Sequence, residues 1–260
     1  MISILLSRLR QGHRTLPYPK SLPSLPARFR GRPVVDASKC PEGCRDCEEV
    51  CPTEAITLEA DGPRIDLGRC LFCPECTEAC PEGAIAYTGE HRLATRGRED
   101  LHLGSGEAYR LAAALDGELG RLFGRSLKLR VVSAGGCNGC EVDVNVLSTI
   151  AWDLGRFGIG YVASPRHADG LLICGPVTTH MELALRKTYD AVPGPKIVIA
   201  VGACAISGGP YLHRPEQLGG AAAVVPVDLF IPGCPPHPLT ILDGLLRLLG
   251  RLENEGRIQA

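Results

Sequence analysis

The chain has 260 residues, near-neutral charge with 28 Lys plus Arg against 29 Asp plus Glu, few aromatics and 13 cysteines. That length accommodates two small domains, and no apolar run approaches the roughly 18 residues of a membrane-spanning helix. The apolar run at residues 2–6 lacks a preceding basic residue, is interrupted by Arg8 and Arg10, and leads to no small-residue cleavage site, so it does not read as a secretory leader.

An odd cysteine total argues against a disulfide framework and favours metal ligation in a reducing compartment. Charge is unevenly placed. Residues 1–35 carry seven basic side chains and no acid, while residues 36–90 carry 13 acids against four basic residues.

Residues 1–35 form a basic, proline-rich arm. Ile2, Leu5, Leu6 and Leu9 repeat at i, i+3, i+4 and i+7, which predicts an amphipathic helix. Pro17, Pro19, Pro23, Pro26 and Pro33 predict extended backbone after about Thr15. The arm is expected to lie along a partner.

Residues 36–90 contain a repeat. CRDCEEVCPTEAITL, starting at Cys44, matches CPECTEACPEGAIAY, starting at Cys73, at an offset of 29. Residues 91–125 read as a docking connector with a helical patch, EAYRLAAALDGELGRLF, weakened by Gly117 and Gly120. From Ser126 onward, short apolar runs at 127–134, 158–164, 170–175, 196–202 and 227–233 alternate with candidate helices at 141–155, 179–191 and 238–252. Continuous apolar strands between helices predict a mostly parallel sheet covered on both faces. The domain at 126–260 is therefore α/β, doubly wound and flavodoxin-like, behind an α+β module.

The repeat spells Cys40-x3-Cys44-x2-Cys47-x3-Cys51-Pro52 and Cys70-x2-Cys73-x2-Cys76-x3-Cys80-Pro81. Close spacing lets three thiolates bind three corners of one cubane, and the cysteine before proline reaches across to the other. This predicts one 4Fe-4S cluster on Cys40, Cys44, Cys47 and Cys80, and a second on Cys70, Cys73, Cys76 and Cys51. Structural zinc also uses four cysteines and is the competing reading. The pattern resembles the bacterial two-cluster ferredoxins, from which the extra residue between Cys40 and Cys44 departs.

In open parallel sheets, ligands bind beyond the carboxyl ends of the strands. Cys137 and Cys140 follow the first predicted strand in SAGGCNGCEVD, Cys204 follows the fourth in GACAISGG, and Cys234 follows the fifth in IPGCPPHP. Flanking glycines permit close backbone approach. The four thiolates predict a third 4Fe-4S cluster, against a thioredoxin-like dithiol at Cys137 and Cys140 or a zinc site. Cys174 reads as packing. Glu141 stands at a helix start, where the dipole favours an acid, and is a candidate for proton transfer.

GGCNGCEVD, SPRHADGLLICGPVT, GACAISGG and IPGCPPHP resemble the small subunit of membrane-bound, energy-converting NiFe hydrogenases of the formate hydrogenlyase type, and the complex I subunit that carries the terminal cluster. The upstream half, from RLRQGHRTLPYP through the eight cysteines, resembles the two-cluster ferredoxin subunit of the same complexes, so the chain reads as a fusion of two neighbouring subunits. The resemblance implies an electron relay through three 4Fe-4S clusters to or from a NiFe site in a separate large subunit. It implies further membrane-embedded subunits, a soluble electron donor or acceptor protein, and a peripheral place on the cytoplasmic face of the membrane. No nucleic-acid partner is expected, and no catalytic centre in this chain alone. Complex I relatives begin the third site with adjacent cysteines, whereas Cys137 and Cys140 are separated by two residues, which favours the hydrogenase side. The alternative is a module that passes electrons to quinone or another acceptor without nickel.

Overall fold

The computed structural model describes residues 2–252 and 257–258. Helix α1 (Ile2–Gln11) forms where the apolar repeat predicted it, with Ile2, Leu5, Leu6 and Leu9 all exposed. The rest of the arm corrects one expectation, because it lies along its own chain. Leu16 N–H donates to Ala151 O at 2.8 Å, Arg156 Nη2 donates to Tyr18 O at 2.9 Å, and the Tyr18 side chain is buried. The prolines stop α1 from continuing, but the backbone after it is not extended throughout as expected: residues 18–20 form a turn closed by Lys20 N–H to Pro17 O at 2.9 Å, and Phe29 N–H closes a second onto Pro26 O at 2.9 Å.

The small module is built twice. Strand β1 (Pro33–Val35), helix α2 (Asp46–Glu49), β2 (Ile56–Glu59), β3 (Gly62–Asp66), α3 (Glu75–Glu78) and β4 (Ile85–Tyr87) follow in order. β1 pairs antiparallel with β4, and β2 with β3. Val35 stands opposite Ile85, and Ile65 opposite Ile56. Thus β4 repeats β2 at the offset of 29, while β3 repeats β1 at 30. The extra residue between Cys40 and Cys44 accounts for the difference.

The connector contributes β5 (His102–Leu103), which joins β3, then β6 (Tyr109–Arg110) and α4 (Gly117–Phe123). The expected helical patch at 107–123 is therefore only partly helical. Gly117 has φ +53°, outside the right-handed helical region, so a helix starts there and cannot run through it.

The larger unit comprises β7 (Leu127–Ser133), α5 (Gly139–Val146), β8 (Ile159–Tyr161), β9 (Gly170–Cys174), α6 (Thr179–Ala191), β10 (Ile197–Val201), α7 (Ala203–Ser207), β11 (Leu229–Ile231) and α8 (Pro238–Leu248). The five strands are parallel in the order β11-β10-β9-β7-β8. The short strand β12 (Arg257–Ile258) pairs antiparallel with β6.

The helix expected at 141–155 ends at Val146. Thr149 Oγ1 bonds back to Val146 O at 2.7 Å, and Asp153 adopts φ +47°, so the chain turns and enters a short 3₁₀ segment at Leu154–Phe157. Helix α6 occupies the expected 179–191.

Strand pleating sends alternate residues to opposite faces. Leu127, Leu129, Leu172, Ile199 and Leu229 pack with Val144 of α5, with Leu147 just past its end, and with Leu242 and Leu245 of α8. On the other face Leu171, Ile173, Val198 and Phe230 pack with Leu185 of α6 and with Ile65, Leu67 and Leu101 beside the small module. A fully buried Leu or Ile contributes about 1.5–3 kcal/mol. One hydrophobic cluster thus runs from the sheet into the small module and fixes their relative position.

Candidate metal centres

Each half of the small module supplies three cysteines to its own side and sends one across. Cys40, Cys44, Cys47 and Cys80 line one cavity, with Cys47 in the single turn of α2 and Cys80 just past α3. Cys51, Cys70, Cys73 and Cys76 line the other, with Cys76 in α3 and Cys51 just past α2. These are the two groupings expected from the spacing. All 13 cysteines are free thiols.

Backbone amides point at the crossing sulfurs. Ala55 N–H donates to Cys51 Sγ at 3.2 Å, and Ala84 N–H to Cys80 Sγ at 3.3 Å, at equivalent positions of the repeat. Phe72 N–H donates to Cys70 Sγ at 3.3 Å, and Tyr87 Oη lies 3.6 Å from the same sulfur. Donors of this kind stabilise negative charge on a ligand sulfur. Burial, then the neighbouring thiols, push the pKa of Cys47 up to about 11, and burial pushes that of Cys70 up to about 12. Bare thiolates are disfavoured here. A positive metal core that accepts them relieves the penalty, so the donor sets fit a thiolate-bound metal cluster.

The third group gathers at the carboxyl ends of the parallel strands. Cys137 follows β7, Cys140 lies in the first turn of α5, Cys204 in α7 after β10, and Cys234 in the loop after β11. The pKa of Cys140 is pushed up by burial and then by Cys204, Cys234, Glu141 and Cys137, and that of Cys204 goes up to about 12 through burial, then Cys234 and Cys137. The four thiols are mutual neighbours. Cys137 and Cys140 follow β7, which borders the switch point where the strand order reverses, between β7 and β9, and Cys204 and Cys234 come from the loops after β10 and β11. At the switch point the loops after β7 and β9 touch through glycine backbone, and a Cβ on Gly136 would stand 2.9 Å from Gly175 Cα.

Gly202, at φ +89°, shows how tightly the third group is framed, since a Cβ there would fall inside the van der Waals shell of Cys140 Sγ. Gly202→Ala is expected to displace Cys140 and lower iron content by about a third, measured by iron and sulfide analysis of anaerobically purified protein. Full retention of iron would show that the frame yields.

Among the described residues, no three His, Cys, Asp or Glu side chains are grouped for a single metal ion. The two small-module sets instead ring cavities. Cys174, at the end of β9, is fully buried. Glu141 is buried in the first turn of α5 and accepts a 2.6 Å hydrogen bond from Ser133 Oγ. Sequence reasoning missed Ser133 and Tyr87. Ser133 has no signal in sequence, whereas Tyr87 stands at the position of the repeat that matches Leu58.

The groups are not isolated from one another. Cys47 feels Cys76 as well as its own set, and Cys234 feels Cys73. Ser207 Oγ, at the end of α7, donates to Gly68 O at 2.9 Å, which seats the helix bearing Cys204 against the loop leading to Cys70. The thiol sets therefore follow one another in the order first, second, third.

Taken together, the fold and these sites define an iron–sulfur protein with a two-cluster module attached to a parallel α/β domain. Residues 39–84 match the family model described as a 4Fe-4S dicluster domain, and residues 137–248 match that of the NADH ubiquinone oxidoreductase 20 kDa subunit. A probable membrane-bound hydrogenase subunit mbhJ of Pyrococcus furiosus is 42% identical over 135 residues, covering 52% of this chain and 81% of the relative. Formate hydrogenlyase subunit 7 of Escherichia coli is 42% identical over 143 residues, covering 55% of this chain and 56% of that one. An NADH-quinone oxidoreductase subunit of Rubrobacter xylanophilus is 42% identical over 120 residues, covering 46% of this chain and 48% of that one. The chain belongs to the family of the NADH ubiquinone oxidoreductase 20 kDa subunit, which includes these hydrogenase subunits, and carries a 4Fe-4S dicluster domain ahead of it.

Proposed function

We propose that the chain is the electron-transfer subunit of a membrane-bound NiFe hydrogenase complex. Cys40, Cys44, Cys47 and Cys80 would hold one 4Fe-4S cluster, Cys70, Cys73, Cys76 and Cys51 a second, and Cys137, Cys140, Cys204 and Cys234 a third. Bound there, the clusters supply one-electron storage at three successive points. The chain's part is to fix the ligands, hold their spacing, donate hydrogen bonds to the sulfurs and exclude water around Cys70, Cys76, Cys140 and Cys204. The observation that carries this reading is the 2.9 Å hydrogen bond from Ser207 Oγ to Gly68 O, which seats the helix bearing Cys204 against the loop leading to Cys70 and so brings the third thiol set up to the small module.

In this reading the units are an arm at 1–35, a two-cluster ferredoxin module at 36–90, a connector at 91–125 and a flavodoxin-like doubly wound domain at 126–260. The parallel order with its reversal between β7 and β9 supports the last. Among the described residues no helix is long and apolar enough to cross a membrane. Attachment at the cytoplasmic face would come through membrane-embedded partner subunits. The NiFe site belongs to a separate large subunit, and a soluble carrier would meet the outermost cluster.

The test is on the partner. Affinity isolation of the intact complex through this chain, followed by sequencing of the large subunit, is expected to show two Cys-x-x-Cys pairs able to hold nickel. Their absence would replace this reading with the complex I-like one, which the match to an NADH-quinone oxidoreductase subunit favours.

A further inference from the structure

The two halves of the small module repeat each other closely enough that a departure at one position carries information. Leu58 stands opposite Pro63 across β2 and β3, and Tyr87 stands opposite Pro33 across β1 and β4. Positions 58 and 87 are separated by the offset of 29 that also relates Cys51 to Cys80. The amide donors of the two halves repeat, from Ala55 to Cys51 and from Ala84 to Cys80. The side chains at 58 and 87 do not. An aliphatic group in the first half is replaced in the second by a phenol whose oxygen lies 3.6 Å from Cys70 Sγ.

A phenol is both donor and acceptor, but a ligating thiolate carries no proton, so the hydroxyl must donate to the sulfur. Leu58 offers no donor at the corresponding place. We propose that Tyr87 is a potential-setting residue for the second cluster site, its O–H raising the reduction potential there relative to the first site. This rests on the reading of the eight cysteines as ligands of two 4Fe-4S clusters.

Reduction adds one negative charge, part of which resides on the ligand sulfurs. A hydrogen bond to a charged acceptor is stronger than one to a less charged acceptor, so Tyr87 favours the reduced form. Burial acts the other way, because a less polar surrounding disfavours added charge. The second set has two buried cysteines, Cys70 and Cys76, and the first has one, Cys47. Without the hydroxyl, the more buried second site would be the harder to reduce. The Tyr87 O–H and the Phe72 N–H, both on Cys70, offset that difference and keep the middle site within reach of its neighbours.

The test is an EPR-monitored redox titration of the full chain carrying its clusters, comparing wild type with Tyr87→Phe. Phenylalanine keeps the ring that packs beside Phe72, with ring centroids 6.1 Å apart, and removes only the hydroxyl. One midpoint is expected to fall, by up to a tenfold change in its reduction equilibrium, about 59 mV for one electron. The affected signal should be the one that Cys73→Ser removes, and pulsed EPR in heavy water should lose one exchangeable-proton coupling from it. Unchanged midpoints, or a shift confined to the signal that Cys44→Ser removes, would overturn the proposal. A wild-type protein without two small-module signals would overturn the cluster reading itself, and the proposal with it.

Discussion

Cys204→Ser is expected to remove one of three reduced-cluster EPR signals and about a third of the iron, leaving the two small-module signals in place. Cys204 lies in the first turn of α7, buried, with Cys137, Cys140 and Cys234 as its thiol neighbours. A serine hydroxyl does not ionise as a thiolate does, so the third site would lose one of four anionic ligands. The small-module thiols belong to separate cavities and are held by their own strands and hydrogen bonds. Cys174→Ala supplies the contrast. That thiol is fully buried among the strands, its Ala variant is expected to keep all three signals, and its effect should be confined to a packing loss of about 1 kcal/mol. Loss of all three signals in Cys204→Ser would mean that the shared hydrophobic cluster makes the two units cooperative in holding metal.

How far the sequence reaches depends on whether a feature is local. The two small-module thiol sets were readable because the spacing of four cysteines and a proline is itself the constraint. The third group was readable by a longer route. Short apolar runs predicted strands, parallel strands predicted a common carboxyl edge, and Cys137, Cys140, Cys204 and Cys234 all fell at that edge. What failed was decided by contacts between distant residues or by one backbone angle. Helix α5 stops at Val146 because of a turn that Thr149 and Asp153 make together, and periodicity gives no sign of it. Ser133 meets Glu141 only once β7 and α5 are folded against each other. Because prolines cannot make a core, the arm reads in sequence as a partner-binding segment, whereas at Tyr18 it is the chain's own α8 that receives it, a contact between residues 225 positions apart that no local pattern announces.

That last contact leads to the other large expected effect. Asp243→Ala is expected to lower stability by about 3–5 kcal/mol, an apparent drop in thermal midpoint of roughly 6–20 °C. Asp243 is buried in α8, where Oδ1 accepts from Tyr18 Oη at 2.9 Å and Oδ2 from Arg247 Nε at 2.8 Å. Arg247 is also buried, so removing the carboxylate leaves a guanidinium in the interior without its counter-ion, along with a buried phenol that has lost its acceptor. Tyr18→Phe separates the two parts. It keeps the ion pair and the ring while deleting one hydrogen bond, and is expected to cost about 1 kcal/mol. If thermal or chemical unfolding showed Asp243→Ala to be no worse than Tyr18→Phe, the buried pair would not be what holds α8 and the arm together. If the expected gap appears, the arm is fastened at Tyr18 by a charge pair inside the larger domain. Its exposed α1 then projects from a fixed anchor on α8, on the opposite face of the sheet from the small module.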